Sequence, residues 1–534
     1  MQLDADVLIV GAGPTGLMMA CQLARFGVSF RIIDKQVDRA KESRAFAIQA
    51  RSMEILQNLG IASQFLKREI VGTGADFYFR GKLKFELDFR NIEIQDTPFP
   101  AIFFLPQSET EQILLEYLEK SQHPVERQTE LVSFIQMNDI VEADIKNNHT
   151  GTNEKVRCRY IVGCDGAHSK VRELLGIPFV GASYQQKFIL ADVSINLPFP
   201  KDKLSFFMNK NGILLSIPLN KQSSLNRLII ADMRDASKPS DDKPLTIEAI
   251  ENMSKRITEV DLQLSNPIWM SPFFLHHRVV KQYQKDCAFI AGDAAHIHSP
   301  VGGQGMNTGL QDACNLAWKM ALHVKYGAPQ QLLASYQTER QRIGEVLLHS
   351  TDKIFGLIVK RNFFTSLLRQ YVMPTVMSLL VKSKKWKNYL FHFISELGIH
   401  YHENSFIAEQ IQGADAKFLA GPCAGCRAPD APVDNTTLFE LFQKKPINIL
   451  LFQSQDYFEL DSKIQILQKV RPEIIAVHRF LKSDSLHVFF ERYGISTAGV
   501  YCIRPDGYIG FRAFGEELDS LLKYLEKFFT VRLD

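Results

Sequence analysis

The residues with the clearest chemical potential lie near the amino end, where Gly11-Ala12-Gly13-Pro14-Thr15-Gly16 follows the apolar run Asp6-Val7-Leu8-Ile9-Val10. A short β-branched run of this kind is the pattern of a fully buried parallel strand. Leu17, Ala20, Leu23 and Ala24 then recur at helical spacing up to Gly27, a suitable C-terminal cap. In such a turn Gly11 permits the tight bend, Gly13 lets backbone N–H groups approach a pyrophosphate, and Gly16 allows close helix–strand packing. The helix start adds unpaired N–H groups and a partial positive charge. Val28-Ser29-Phe30-Arg31-Ile32-Ile33 predicts a second strand ending at Asp34, eighteen residues after Gly16 and near the spacing of an acid that holds a ribose hydroxyl. Strand, turn, helix, strand and acid in that order point to a dinucleotide. The acid favours a free 2′-hydroxyl, hence FAD or NAD over NADP.

Two further segments repeat the theme. Cys287-Ala288-Phe289-Ile290-Ala291 reads as a buried strand ending in Gly292-Asp293, followed by Ser299-Pro300-Val301-Gly302-Gly303-Gln304-Gly305-Met306-Asn307. Leu310, Ala313, Cys314, Ala317 and Ala321 then predict a second buried helix opened by a glycine-rich turn. Tyr160-Ile161-Val162-Gly163-Cys164 is another strand, ending in Asp165-Gly166 with Arg172 just beyond. Three strand ends bearing aspartate and glycine exceed what one NAD molecule requires.

This trio resembles the class A flavoprotein monooxygenases, the single-component aromatic hydroxylases typified by para-hydroxybenzoate hydroxylase and phenol hydroxylase. The resemblance implies that Gly11, Gly13, Pro14, Thr15 and Gly16 cradle the FAD pyrophosphate, with Asp34 and Lys35 at the end of the second strand. It implies that Asp165 belongs to a motif tied to FAD and pyridine nucleotide, and that Asp293 holds the ribityl chain. Arg44, in Ser43-Arg44-Ala45, and Gln107, in Leu105-Pro106-Gln107-Ser108, are implied as cofactor contacts, and Pro300 as a neighbour of the flavin. Gly303, Gly305, Met306 and Asn307 are implied at the isoalloxazine edge, where a helix start stabilises the charge of the reduced ring. Glycines suit that place because a Cβ would hold the backbone off the ring. The implied activity uses NADH or NADPH and O2 to hydroxylate a phenolic or polyketide-like aromatic molecule through a flavin C4a-hydroperoxide. The cofactor carries the chemistry, and no side-chain catalytic triad is expected. Epoxidation or Baeyer–Villiger oxidation by the same cofactor, and a flavin-holding binding or assembly protein without turnover, remain as alternatives. Halogenation is disfavoured, because Trp269, Trp318 and Trp386 lie too far apart for the Trp-x-Trp segment of flavin halogenases.

Other residues that could do chemistry have blander readings. His296 and His298 flank the glycine turn, but no cysteine or carboxylate set at ligand spacing accompanies them, so no metal is expected. Arg172 reads first as a loop anchor, and His276-His277-Arg278 as the exposed start of a strand. Tyr78 and Phe206 are candidate pocket aromatics that strand placement makes more natural as core. Cys423-Ala424-Gly425-Cys426 precedes the strand Ile447-Asn448-Ile449-Leu450-Leu451-Phe452, the wrong order for a thioredoxin-type redox site, and no second pair suggests zinc. Gly425-Cys426-Arg427-Ala428-Pro429 instead resembles a linker of these hydroxylases.

The elements that must position these residues suggest an α/β chain in three parts. Residues 1–73, 99–182 and 271–412 form the expected Rossmann-like FAD-binding domain with a helical extension. Residues 74–98 and 183–270, with strand-like alternation, form an inserted mixed β-sheet substrate domain. A linker of 413–431 leads to 432–534, where the Arg504-Pro505-Asp506-Gly507 hairpin resembles that of the thioredoxin-like C-terminal domain of the phenol hydroxylase branch. That domain is expected to be structural or oligomeric, with a homodimer left open. The 534 residues are 46% hydrophobic with a net charge of +3 and no Lys/Arg block, which gives no electrostatic footprint for nucleic acid. The apolar stretch 354–381 is interrupted by Lys360, Arg361, Arg369 and Pro374, so stable membrane insertion is not expected. Eight scattered cysteines and no secretory signal pattern point to a cytoplasmic protein without a disulfide framework.

Overall fold

The computed structural model describes residues 2–39, 45–90, 92–196, 199–220, 224–233, 245–297, 302–359, 372–401, 404–454 and 460–529. Its first sheet sets strands Ala288–Ile290, Asn153–Gly163, Ala5–Val10 and Phe30–Asp34 side by side, all parallel. The register pairs Val10 with Gly163 and Ile33, and Gly163 with Ile290. All four strands therefore finish at one edge, and the glycine turn, Asp34, Asp165 and Asp293 follow from those ends. The central strand is buried because helices Pro14–Phe26 and Gly305–Tyr326 cover it, with Leu17, Ala20, Leu310 and Ala317 fully enclosed.

The second sheet has eight strands among the described residues, in the order His296–Ile297, Leu264–Val279, Val180–Ile195, Leu225–Asp232, Gly212–Pro218, Lys203–Met208, Gly74–Phe79, Lys82–Asp88. It is mixed, since Lys203–Met208 pairs parallel with Gly74–Phe79 and the other ladders are antiparallel. Alternation gives it two apolar faces. One, with Ile189, Ala191, Leu228 and Ile230, packs on helix Ile247–Thr258. The other, with Phe188, Ile229 and Leu275, turns toward Phe46 and Phe104 of the first unit.

The third sheet runs Ala408–Gln410, Ile509–Phe514, Gly499–Ile503, Ile447–Gln453, Ile475–Leu481. Ile447–Gln453 and Ile475–Leu481 are parallel, with helix Leu460–Lys469 between them, and the last two strands form an antiparallel hairpin at Arg504-Pro505-Asp506-Gly507. Two features depart from the sequence reading. Strand Ala408–Gln410 pairs into this sheet although it precedes residue 412. The stretch read as a linker is packed, with Ala424, Ala428 and Ala431 buried, and Cys423 and Cys426 are joined in a disulfide. Its Gly and Pro mark turns, not exposure. One hydrophobic cluster runs from Val7 and Leu8 through Leu316 and Ala317 to Ile449 and Leu451, so the C-terminal sheet shares a core with the first. Among the described residues no helix is long and apolar enough to cross a membrane.

Candidate functional site

At the common edge of the first sheet lies a cavity of about 850 Å³. Gly11, Gly13, Pro14, Thr15, Asp34, Lys35, Gln107, Asp165, Asp293, Gly303, Gly305 and Met306 all line it. Gly16 and Asn307 do not, and each has a supporting place. A Cβ on Gly16 would sit 1.9 Å from the Gly11 carbonyl oxygen, so this glycine lets the helix press against the turn. Asn307 is buried; its Oδ1 accepts from the Gln49 N–H at 2.8 Å, and its Nδ2 donates to the carbonyls of Ala47 and Gly303 at 2.9 Å. It stitches the second glycine turn to strand Ala47–Ile48. Arg44, Pro300 and His298 lie outside the described residues.

Two helices begin at this cavity, and neither has a side-chain cap. Pro14–Phe26 starts after an extended Gly13 and Gly305–Tyr326 after Gln304, both without a side-chain hydrogen bond to the free N–H groups. Uncapped helix starts facing one cavity make it electropositive at two points and suit it to an anionic ligand. Thr15 fixes the first turn against the third loop: a Cβ on Gly292 or on Gly309 would meet its hydroxyl oxygen at 2.4 Å.

The three aspartates differ in their engagements. Asp34 accepts from the Ala12 N–H at 2.6 Å and the Gln36 N–H at 2.8 Å, so it braces the glycine turn from the next strand. Asp165 accepts from Ser169 Oγ at 2.5 Å and from the N–H groups of Lys170 at 2.6 Å and Val171 at 3.2 Å, holding the start of helix Lys170–Leu174, whose N-cap is Ser169. Burial pushes its carboxyl up, and these hydrogen bonds act against the shift. Asp293 is exposed at the cavity. Arg172 joins the second and third loops, donating to the carbonyls of Ala294 at 2.9 Å and Ala167 at 2.8 Å while stacking 4.0 Å over Phe179.

His296 is structural. Its Nε2 lies 2.6 Å from Asp312 Oδ2, and Asp312 also accepts from Arg340 Nε at 2.6 Å and the Gly292 N–H at 3.0 Å. Among the described residues no group of His, Cys, Asp or Glu could hold a metal ion. Tyr78 and Phe206 are partly buried side chains packed against the sheet's apolar clusters, Tyr78 stacked on Phe207 at 4.5 Å and Phe206 tilted against Phe77 at 5.5 Å, and neither lines the cavity. The residues on the cavity's apolar side are Phe46, Leu190, Ile229, Phe273, Leu275 and His276. Sequence reasoning missed the apolar ones, although Pro272-Phe273-Phe274-Leu275 beside His276 was a readable signal.

Beneath the cavity, helix Gly305–Tyr326 carries a buried polar row of Thr308, Gln311, Asp312, Asn315 and Lys319. Glu396 accepts from Thr308 Oγ1 at 2.9 Å and Gln311 Nε2 at 2.5 Å. Burial pushes its carboxyl from 4.5 up to about 8, against the pull of those two donors. Folded protein then keeps a proton that the unfolded chain loses between pH 4.5 and about 8. This contribution to stability is full below pH 4.5 and is lost as pH rises to about 8, with a slope of at most ~1.4 kcal/mol per pH unit. Burial also pushes the Asp312 carboxyl up, but Arg340 and His296 outweigh it and hold it at about 2, so its contribution is lost only in acid. Glu396→Gln is expected to flatten the first slope and leave the acid limb in place, read from denaturant midpoints across that range.

The FAD binding domain family matches residues 4–351. Pentachlorophenol 4-monooxygenase of Sphingobium chlorophenolicum is 30% identical over 98% of this chain and 96% of its own. The 6-methylpretetramide 4-monooxygenase of Streptomyces rimosus is 30% identical over 94% and 90%. The solved structure of OxyS, an anhydrotetracycline hydroxylase from Streptomyces rimosus, superposes with a TM-score of 0.75 at 26% identity, covering 99% of both chains. A glycine cradle that a Cβ would fill and two uncapped helix starts fit an FAD pyrophosphate and the electron-rich edge of its ring. Cavity, family match and full-length similarity agree: the chain belongs to the class A FAD-dependent aromatic hydroxylases and is a flavin monooxygenase.

Proposed function

We propose that this enzyme hydroxylates a phenolic or polyketide-like aromatic molecule held against the apolar face of the second sheet. The observation that carries the reading is that one cavity is continuous from Gly11 and Asp165 to Phe46, Ile229 and Phe273. The names of the relatives, a chlorophenol monooxygenase and polyketide hydroxylases, support the substrate class. When bound, FAD supplies reduction by NAD(P)H and activation of O2 for transfer of one oxygen atom.

The protein's part is to bind, orient and exclude water. The N–H groups at Gly13 and Thr15 would take the pyrophosphate and Asp34 the ribose, while Asp293 would take the ribityl hydroxyls. Gly303, Gly305 and Met306 would approach the ring edge, with Asn307 fixing their turn. Arg44 and Pro300 lie outside the described residues, and the family resemblance alone supports them as contacts of the cofactor. Phe273 and Leu275 would cover the aromatic substrate, and His276 is a polar group at the same wall. We assign the domain limits as read from the sequence, moving Ala408–Gln410 to the C-terminal unit. We read that unit as thioredoxin-like, supported by two parallel strands around a helix followed by an antiparallel hairpin and a final helix. We read the location as cytoplasmic, supported by six unbridged cysteines among the described residues beside the single Cys423–Cys426 pair.

The test is a panel of phenols and aromatic polyketides scored for stimulation of NAD(P)H oxidation, with product masses examined for a gain of one oxygen. Phe273→Ala is expected to raise KM for an accepted substrate about tenfold, the loss of roughly 1.5 kcal/mol of ring contact, with FAD affinity unchanged. A panel without stimulation in flavin-loaded enzyme, or an unchanged KM, would overturn the substrate assignment.

A further inference from the structure

Cys423-Ala424-Gly425-Cys426 takes no part in the cavity, yet it occupies a junction. The Cys426 N–H donates to the Cys423 carbonyl at 3.1 Å across a tight turn, and Gly425, at φ +82°, takes its left-handed corner. That turn brings the two side chains together, and their sulfurs are bonded. It is sewn to both units. The Tyr401 N–H donates to the Gly425 carbonyl and the Gly425 N–H to the Ile509 carbonyl, each at 2.7 Å, while the Ile509 N–H donates to the Cys426 carbonyl at 2.9 Å. A Cβ on Gly425 would fall 1.7 Å from the Tyr401 carbonyl oxygen, so no side chain fits there. The next residue, Arg427, is buried and reaches back to Glu54 Oε1 at 2.9 Å and to the Asp96 carboxylate.

Accessibility separates this pair from the other cysteines. Cys423 and Cys426 are half-buried, whereas Cys21, Cys158, Cys164, Cys287, Cys314 and Cys502 are all buried. A disulfide exchanges only if an attacking thiolate can reach one of its sulfurs. The ring it closes is also very small, so it restrains the unfolded chain little. What it holds is the turn itself, together with the position of Arg427.

We propose that Cys423 and Cys426 form a thiol–disulfide exchange site for small thiols of the glutathione class, a reversible fastener between the flavin-binding unit and the C-terminal sheet. A glutathione thiolate attacks one sulfur, forming a mixed disulfide and releasing the other cysteine as a thiolate that takes up a proton. A second glutathione thiolate attacks the mixed disulfide and releases oxidised glutathione, and the first cysteine takes up a proton. The protein gains two electrons and two protons, and two glutathione thiols are oxidised to one disulfide. In reverse, the preset turn makes closure intramolecular and favours the pair over any mixed disulfide. The proposal does not depend on the substrate assignment.

The test equilibrates purified holoenzyme in glutathione buffers of stepped redox ratio and traps free thiols with excess maleimide at neutral pH, before the protein is unfolded for peptide mapping. The peptide carrying both cysteines is expected to pass from no label to two labels along one two-electron curve, while the six buried thiols stay unlabelled in native protein. Cys423→Ser is expected to leave Cys426 carrying one glutathione in oxidising buffer. Amide hydrogen exchange over 421–431 and 504–510 is expected to rise at least about threefold in the reduced protein, with FAD affinity changed less than twofold. A pair that stays as two thiols after oxidation, or stays oxidised at the reducing extreme until the protein unfolds, would overturn the exchange site. Equal hydrogen exchange in the two redox states would overturn the fastener.

Discussion

Gly11→Ala is expected to give a protein that purifies without flavin colour, with FAD affinity lowered at least about 100-fold and a reduced melting temperature. Gly11 sits at φ +99°, where an alanine is strained, and its Cβ would lie 2.5 Å from the Cys164 carbonyl oxygen and 2.8 Å from the Asp165 Cα. Those neighbours are backbone, so relief requires moving the strand end that carries Asp165. Overpacking of this kind costs about 1–3 kcal/mol of stability, and losing two charge-assisted hydrogen bonds to a displaced pyrophosphate costs about 3–6 kcal/mol of binding. Gly13→Ala provides the contrast. No atom lies within 4 Å of its Cβ position, so the apoprotein should melt as the wild type does. The methyl group would instead stand where the pyrophosphate comes close, and affinity should fall without loss of fold. Calorimetric titration with FAD and thermal unfolding of both apoproteins check the pair. Wild-type affinity in Gly13→Ala would place the pyrophosphate elsewhere.

That contrast also marks what could be read without coordinates. Gly11, Gly16, Asp34, Asp165 and Asp293 were visible because each belongs to a local grammar of strand, tight turn and helix. Parallel pairing of Ala5–Val10 with its neighbours then brings those local motifs to one edge. The apolar wall was not visible in the same way. Phe46, Ile229 and Phe273 come from distant segments and meet through cross-strand register and sheet-on-sheet contact, which a linear pattern does not encode. The buried polar partners were hidden for the same reason. Arg504-Pro505-Asp506-Gly507 reads as a hairpin turn and Gly305–Tyr326 as a buried helix, but neither pattern tells that Arg504, Asp506, Asn315 and Lys319 meet. Arg504, Asp506, Asn315 and Lys319 are all buried, because the structure sets each against another charged or polar group.

The second large effect follows from that burial. Arg504 donates to both Glu339 oxygens at 2.7 and 2.8 Å and to Asp506 at 2.6 Å, with its guanidinium 4.9 Å from the Trp318 ring centre. Glu339 also accepts from Lys319 Nζ at 2.8 Å and Asn315 Nδ2 at 2.6 Å, both on the helix whose first turn lines the cavity. Two cations thus face two carboxylates out of contact with water. Burial pushes the Glu339 carboxyl up, but Arg504 and Lys319 outweigh it and hold the group well below the usual carboxylate range. Arg504→Met keeps the stem and removes the charge, leaving Glu339 and Asp506 with one cation between them. Breaking a buried ion pair on one side typically costs about 3–5 kcal/mol, and for a chain of this length the unfolding midpoint should fall by roughly 3–5 °C. The wild-type contribution of Glu339 is present above the unfolded carboxyl value and is lost only in strong acid; in Arg504→Met the loss should begin at higher pH. Asp506→Asn introduced into the Arg504→Met background should recover part of the stability, because Asp506 loses its ion-pair partner Arg504 while Glu339 keeps Lys319. The same variant tests what the C-terminal hairpin does for the cofactor, since Lys319 and Gly305 share one helix. Weaker FAD binding beside the lowered midpoint would show that the hairpin steadies the helix at the flavin edge, whereas an undisturbed midpoint would mean that it rests on this helix without bearing on it.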